Sequence, residues 1–404
     1  MAAMNPDPAK KELGAGVAVA GLLALAVAIG VGRFAFTPVL PMMQEDFGVS
    51  VAAGGWLASA NYAGYLLGAL SAMTLRVQPV PAIRCGLLAI GFTTLAMGLE
   101  THFVSWLLLR ALAGVASAWV LIHVSAWSLE RLAPLRRPLL SGIVFAGVGA
   151  GIAFAGVVCM VLMHAAAGAA TAWVVLGLLS LVLAAASWSS FRGEGPAPSQ
   201  AGGRAPQGAQ GRRGEAARLV FSYFALGYGY IIPATFLPVM ARQAIQDPAV
   251  FGWSWPLFGL MAAVSTVVAA SLPESGNRRL WIVSQLFMAL GVALPLLLPG
   301  SPGILLSAIA VGGTFMVITM AGLREARAAE VASPTGLMAA MTAAFALGQI
   351  AGPVSVSVTA GAHGSFSGSL VAASLMLAAG ACAVAWPRAA SPAAGFPTEE
   401  RRAH

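Results

Sequence analysis

Two arginines, Arg33 and Arg110, interrupt long apolar runs in a chain of 404 residues of which only 9% are charged. An arginine at that depth costs roughly 2.5–3.5 kcal/mol on membrane-insertion scales and marks a functional site by default. The carboxylates fall at the ends of the runs: Glu45, Asp46, Glu100 and Asp247 towards one side, Glu130, Glu274, Glu325 and Glu330 towards the other. Neither arginine therefore has an acidic partner at its own depth. Two unpaired cations in low-dielectric surroundings attract an anion, and a planar guanidinium meets a carboxylate or sulfonate through two parallel hydrogen bonds. The competing role is structural. Pro38 and Pro41 loosen the first run and release backbone carbonyls that a guanidinium can take.

Helical spacing groups the neighbours. At about 100° per residue, Gly114, Ser117 and Leu121 share the face of Arg110, while Trp119 points away towards lipid. His123 lies about 140° from Arg110 on the same arithmetic and reads as a packed histidine. Around Arg33, the same face carries Ala26, Thr37 and Leu40, with Phe36 at its margin. Asn61 and Tyr65 sit four apart and could bond across to the amide of Gln349, as interhelical glue or as part of a gate.

These residues belong to a duplicated unit. Residues 30–43 read GVGRFAFTPVLPMM and residues 227–240 read GYGYIIPATFLPVM, sharing Gly30/Gly227, Gly32/Gly229, Leu40/Leu237, Pro41/Pro238 and Met43/Met240. The same offset of 197 positions pairs Gly55-Trp56 with Gly252-Trp253, and Gly151 with Gly348. A duplicated bundle of apolar helices is the build of a secondary transporter, with its site between the halves. The duplicate puts Tyr230 at the Arg33 position, with Tyr223 seven residues earlier on the same face. The candidate substrate-binding set is then Arg33, Phe36, Thr37, Arg110, Gly114, Ser117, Tyr223 and Tyr230, cationic on one half and hydroxyl-bearing on the other.

Composition fixes the class. The chain is 59% hydrophobic, and its mean hydropathy is +0.84. A soluble domain carries roughly 25% charged residues, so this chain is an all-α integral membrane protein in contact with a lipid bilayer. Apolar runs of about 20 residues, enough to cross a ~30 Å hydrocarbon core, lie near 15–38, 51–75, 82–99, 103–128, 138–163, 169–191, 218–241, 252–272, 280–298, 303–322, 335–360 and 366–387. The first is a membrane helix and not a cleaved signal, because it continues into the repeated segment. These twelve transmembrane helices form two pseudo-symmetric six-helix bundles, 14–191 and 218–387. Between them, 192–217 is rich in Gly, Pro, Gln and Arg and reads as a flexible linker, and 1–13 and 388–404 read as tails. Gly142, Ala146, Gly149, Ala153 and Gly156 form a small-residue seam on the fifth helix.

Basic residues crowd the tails, the linker and alternate loops, among them Lys10, Lys11, Arg84, Arg131, Arg278 and Arg324, whereas the opposite loops hold only Arg242. The positive-inside rule then puts both termini in the cytoplasm, in a bacterial inner membrane. The net charge of +8 forms no basic stripe with interleaved aromatics, so nucleic acid is excluded. Cys85, Cys159 and Cys382 lie inside apolar runs and read as packing residues, without disulfide or metal-ligand spacing. No P-loop, HExxH or Gly-x-Ser-x-Gly motif is present, so no cofactor, metal or enzymatic activity is expected.

Six plus six helices, a basic central linker and cytoplasmic termini resemble the major facilitator superfamily. Within it the chain is similar to the YbfB/YjiJ branch, through GVGRFAFTPVLP at 30–41, GWLASANYAGYLLGAL at 55–70, GYGYIIPATFLPVMAR at 227–242 and GQIAGP at 348–353. The resemblance implies alternating access about a central cavity lined by helices 1, 4, 7 and 10. Arg110 and Gly114 match the superfamily's helix-4 pattern. The stretch 68–84, GALSAMTLRVQPVPAIR, departs from the usual loop between helices 2 and 3 in having Arg76 and Arg84 but no carboxylate. Gly-Pro, which many antiporters carry in helix 5, stands here at Gly352-Pro353 in helix 11, while helix 5 has Ala155-Gly156.

The sequence thus predicts a secondary active transporter of a small solute, favouring a small organic anion, with a proton as a candidate co-substrate and a monomer as the working unit. Two alternatives stand beside it. One is an exporter of drugs or sugars, with a neutral or lipophilic ligand on Tyr223, Tyr230 and Phe36. The other is a transporter-like membrane sensor that signals through the linker.

Overall fold

The computed structural model describes residues 8–75, 77–135, 137–192, 210–245, 251–272, 276–329, 334–359 and 365–386. Most of the linker stretch and the C-terminal tail lie outside them, as do residues 1–7 and Arg76. Among the described residues, twelve helices run across the molecule: α1 Gly14–Phe47, α2 Val51–Thr74, α3 Pro79–Leu99, α4 Phe103–Leu132, α5 Pro138–His164, α6 Ala169–Trp188, α7 Gln210–Ala244, α8 Ser254–Ser271, α9 Asn277–Leu297, α10 Ser301–Ala328, α11 Pro334–Thr359 and α12 Ser367–Ala385. Helix α7 begins inside the stretch read as linker.

Eleven of these are long and apolar enough to cross a membrane. The twelfth, α2, spans 24 residues, a sufficient length at about 1.5 Å per residue. Ser59, Asn61, Tyr62 and Tyr65 lower its hydropathy. It tolerates them because it is wedged between α4 and α11, where protein groups take the place of lipid.

The packing repeats with the sequence. Within the first half α1 lies on α5, α2 on α4 and α3 on α6; within the second, α7 lies on α11, α8 on α10 and α9 on α12. The halves meet through α5–α8 and α2–α11, two interfaces that the repeat interchanges. Helices α1 and α7 meet along the pseudo-symmetry axis. Thr37 Oγ1 donates to Ala234 O at 2.8 Å and Arg242 Nη2 to Glu45 Oε2 at 2.7 Å, and both pairs are 197 positions apart. Equivalent residues touch each other only at such an axis. The duplicated glycines occupy equivalent crossings. A Cβ on Gly30 would strike the Gly151 backbone where α1 crosses α5, and one on Gly227 would strike the Phe345 backbone beside Gly348, where α7 crosses α11.

The small-residue seam of α5 lies on α8. A Cβ on Gly149 would meet the backbone of Ala263 and Gly259, and one on Gly156 would meet Pro256. Such close approach is how helices associate without a hydrophobic driving force between them. Gly149→Leu should therefore destabilise the protein by about 1–3 kcal/mol through overpacking. Gly16→Leu, at a position with open space around it, should not. Thermal unfolding in detergent checks the pair, and equal melting points would contradict the interface described.

Helix α1 is not regular. It runs as an α-helix through Leu25 and widens to a π-helix over Ala26–Val31, with Gly32 N bonded to Val27 O at 2.9 Å and Phe34 N to Ile29 O at 3.1 Å. It resumes at Phe36 and ends at Gly48, whose φ of 65° suits glycine. Pro38 removes one amide from the ladder, and Thr37 N bonds back to Phe34 O at 3.1 Å instead of reaching Arg33 O. Carbonyls at residues 32 and 33 are thereby left for other donors. Helix α7 keeps Pro233 and Pro238 within one unbroken helix, so only the first half carries this break.

Candidate functional site

Arg33 and Arg110 sit at the break, 5% and 2% exposed. Arg110, from α4, turns its guanidinium onto the freed carbonyls: Nη2 to Arg33 O at 2.9 Å and Nη1 to Gly32 O at 3.3 Å. Asn61 of α2 completes the bracket, its Nδ2 reaching Gly32 O at 3.2 Å and Arg110 O at 2.8 Å. Phe36 lies beneath the Arg110 guanidinium, 4.9 Å from ring centre to Cζ, and stacks on Trp173. Arg110 thus takes up the carbonyls that the sequence offered as its structural role.

Arg33 is placed differently. Its guanidinium lies against three rings, 4.4 Å from the centre of Tyr65, 4.9 Å from Tyr62 and 5.3 Å from Phe34. Its side chain makes no hydrogen bond among the described residues, and Nε and Nη2 are buried without a partner. The ion pairs among those residues join Arg242 to Glu45, Arg131 to Glu130, Arg278 to Glu215 and Glu325, and His102, when protonated, to Glu100, and none includes Arg33 or Arg110. Cation–π contact is worth about 0.5–2 kcal/mol. It shields the faces of the guanidinium but leaves the in-plane N–H groups unused.

Across the interface, Tyr230 of α7 stacks between Phe315 of α10 and Phe345 of α11, at 5.6 and 5.5 Å. Its hydroxyl accepts from Gln349 Nε2, and it lies within electrostatic reach of Arg33. Tyr62 OH meets Thr235 Oγ1 at 3.0 Å. Tyr65 is half-buried, and its hydroxyl makes no hydrogen bond among the described residues. The structure therefore brings together Arg33, Thr37, Tyr62, Tyr65 and Tyr230 from α1, α2 and α7.

Other expected members stand elsewhere. Tyr223 shares the face of Tyr230, but seven residues are about 10 Å of helix. Its hydroxyl bonds Thr319 O at 2.5 Å, and its ring packs edge-on against Trp281 inside the second half. Gly114 is a crossing point, where a Cβ would strike the α2 backbone at Asn61. Ser117 is fully buried and donates to Ala113 O at 2.7 Å. Asn61 and Tyr65 do not bond Gln349: Asn61 is used on α1 and α4, and Tyr65 covers Arg33. Trp119 is half-buried and donates to Ser71 Oγ at 2.8 Å, so it is partly turned to α2 and not wholly to lipid. In the stretch 68–84, Arg84 closes the end of α6, bonding Trp188 O at 3.1 Å and Phe191 O at 2.9 Å, where a cation suits the helix C-terminus.

Tyr62, Phe34, Phe315 and Phe345 were not among the residues expected from sequence. Tyr62 is three residues before Tyr65, a same-face spacing that could have found it. Phe315 and Phe345 carry no such signal, because their place beside Tyr230 depends on how α7, α10 and α11 pack.

Comparison with known proteins places this architecture. Residues 25–385 match the family described as "Uncharacterised MFS-type transporter YbfB". A stretch of 161 residues is 30% identical to a Bacillus subtilis (strain 168) protein described as "Uncharacterized MFS-type transporter YceJ", covering 38% of this chain and 40% of that relative. A broken first helix bracketed by an arginine, two interchangeable half-bundles and a family match over nearly their whole length agree: the chain belongs to the YbfB family of MFS-type transporters.

Proposed function

We propose that the transported solute is a small organic anion and that Arg33 is the residue that binds it. The supporting observation is the state of that side chain: a buried guanidinium with two unpartnered nitrogens, no carboxylate, and rings on its faces. An uncompensated buried charge is costly, and a carboxylate meeting its edge bidentately relieves that cost. Tyr65 offers a hydroxyl group beside it, with Tyr230 across the interface and Thr37 at the axis. Arg110 acts one step removed, by fixing the break in α1 that aims Arg33.

With the termini cytoplasmic, as the basic loops favour, the hydrogen bonds described between the halves lie on the outer side of the site. They are Thr37–Ala234, Tyr62–Thr235, Ser59–Ile350, Ser357–Ala52 and Arg242 to α1. This arrangement fits a transporter closed to the outside, working as a monomer in the bacterial inner membrane by alternating access. Among the described residues no carboxylate pairs with Arg33 to carry a proton, so a proton would travel on a titratable substrate. A second reading, export of a lipophilic neutral compound, is favoured by the stacked rings of Phe315, Tyr230 and Phe345. Uptake into proteoliposomes separates the two. Anion transport requires carboxylates to be taken up and to compete with one another while their amides do not. Uptake of the amides alone would favour the second reading.

A further inference from the structure

At the end of the molecule where α1 and α7 finish, Arg242 of α7 is held by α1. Nη1 donates to Pro41 O at 2.5 Å and Nη2 to Glu45 Oε2 at 2.7 Å. Both partners reach solvent, at 37% and 67% side-chain exposure. Two cavities flank the pair, of about 510 and 300 Å³, and Glu45 and Arg242 line both of them. The adjacent Asp46 does not compete for Arg242, because its Oδ2 accepts from Ala169 N at 2.5 Å at the positive end of α6. Pro41 is eight residues beyond Arg33, about 12 Å along α1.

From this geometry we infer that Arg242 is a second anion site at the outer mouth, occupied in the closed state by the carboxylate of Glu45. A diffusible carboxylate entering either cavity competes with Glu45 for Nη2, and replacing it unties α1 from α7. The pair is suited to this exchange. An exposed ion pair shifts an equilibrium only a few-fold, so a ligand at modest concentration can displace it, whereas a buried pair would hold the mouth shut. The pair ties α1 to α7 on the pseudo-symmetry axis, beside the other hydrogen bonds between the halves, so releasing it biases the mouth towards opening. The inference takes the charge of its ligand from the anion reading above, but its site is independent of Arg33.

The test uses a reporter thiol in protein freed of Cys85, Cys159 and Cys382. Ser59→Cys replaces a hydroxyl that is 5% exposed and bonds Ile350 O across the halves at 3.3 Å. Ser357→Cys is a second reporter in case the first folds poorly. The rate of maleimide labelling of purified protein follows opening of the outer mouth. Glu45→Gln and Arg242→Gln are each expected to raise it about two- to fivefold. Acetate should raise it similarly, relative to chloride at equal ionic strength, and acetamide should not. The acetate effect should survive Arg33→Gln and vanish in Arg242→Gln. Unchanged labelling in Glu45→Gln, or no acetate effect, would overturn the inference. An acetate effect lost in Arg33→Gln would also overturn it, while leaving anion binding at the central site standing.

Discussion

Arg33→Gln should melt at a higher temperature than the parent protein when no substrate is present, and in an Arg242→Gln background its melting point should not respond to carboxylates. The sign follows from opposing magnitudes. Removing a cation from mid-membrane saves roughly 2.5–3.5 kcal/mol. Losing its contacts with Phe34, Tyr62 and Tyr65 gives back about 0.5–2 kcal/mol. No hydrogen bond is lost, because Arg33 makes none among the described residues. A net gain of about 0.5–3 kcal/mol remains. Binding moves the other way. Charge-assisted hydrogen bonds are worth about 1.5–3 kcal/mol each, so two of them are worth roughly 10²–10⁴-fold in affinity. A structural arginine would show the opposite pattern, with lower stability in the variant. Scanning calorimetry with and without carboxylates reads both effects together.

Arg110→Leu should abolish transport while changing stability little. Its removal saves the same mid-membrane penalty of roughly 2.5–3.5 kcal/mol. It leaves Arg33 O without a donor, at about 1–3 kcal/mol, while Gly32 O keeps Asn61. These contributions nearly cancel. The functional loss arises because Asn61 alone then holds the break between Val31 and Phe36, by Gly32 O only, and the Arg33 side chain loses its aim. A misplacement of 1 Å is enough for about 100-fold. Arg110→Lys should be almost as damaging, since one ammonium lacks the planar fork that reaches Arg33 O and Gly32 O together. Uptake comparable to the parent in Arg110→Lys, at equal folded protein, would show that the two-carbonyl bracket is not required.

Much of this was legible in the chain. The repeat of GVGRFAFTPVLPMM and GYGYIIPATFLPVM carried the pairing of the halves, and its glycines proved to be helix crossings because close approach permits little else there. The depth of Arg33 and Arg110 could be read from the apolar runs. Their different surroundings could not. Whether a buried arginine meets carbonyls or aromatic rings depends on where the π-turn at Ala26–Val31 rotates α1, and no local spacing encodes that rotation. Tyr223 was grouped with Tyr230 because angular periodicity ignores axial distance. The rings of Phe315 and Phe345 come from helices far apart in sequence, so their place at the site is a consequence of packing. Helix α2, the one of the twelve not among the eleven apolar spans, is the one whose polar residues do most at the site: Asn61 braces the break, and Tyr62 and Tyr65 cover Arg33.

The central claim, that Arg33 binds an anion, is tested most directly by equilibrium titration of purified protein with a series of carboxylates and their primary amides. The expected result is saturable binding of carboxylates, with amides weaker by at least about 100-fold, and Arg33→Gln in an Arg242→Gln background blind to both. Carboxylates and amides binding equally, with affinity unchanged in Arg33→Gln, would contradict it.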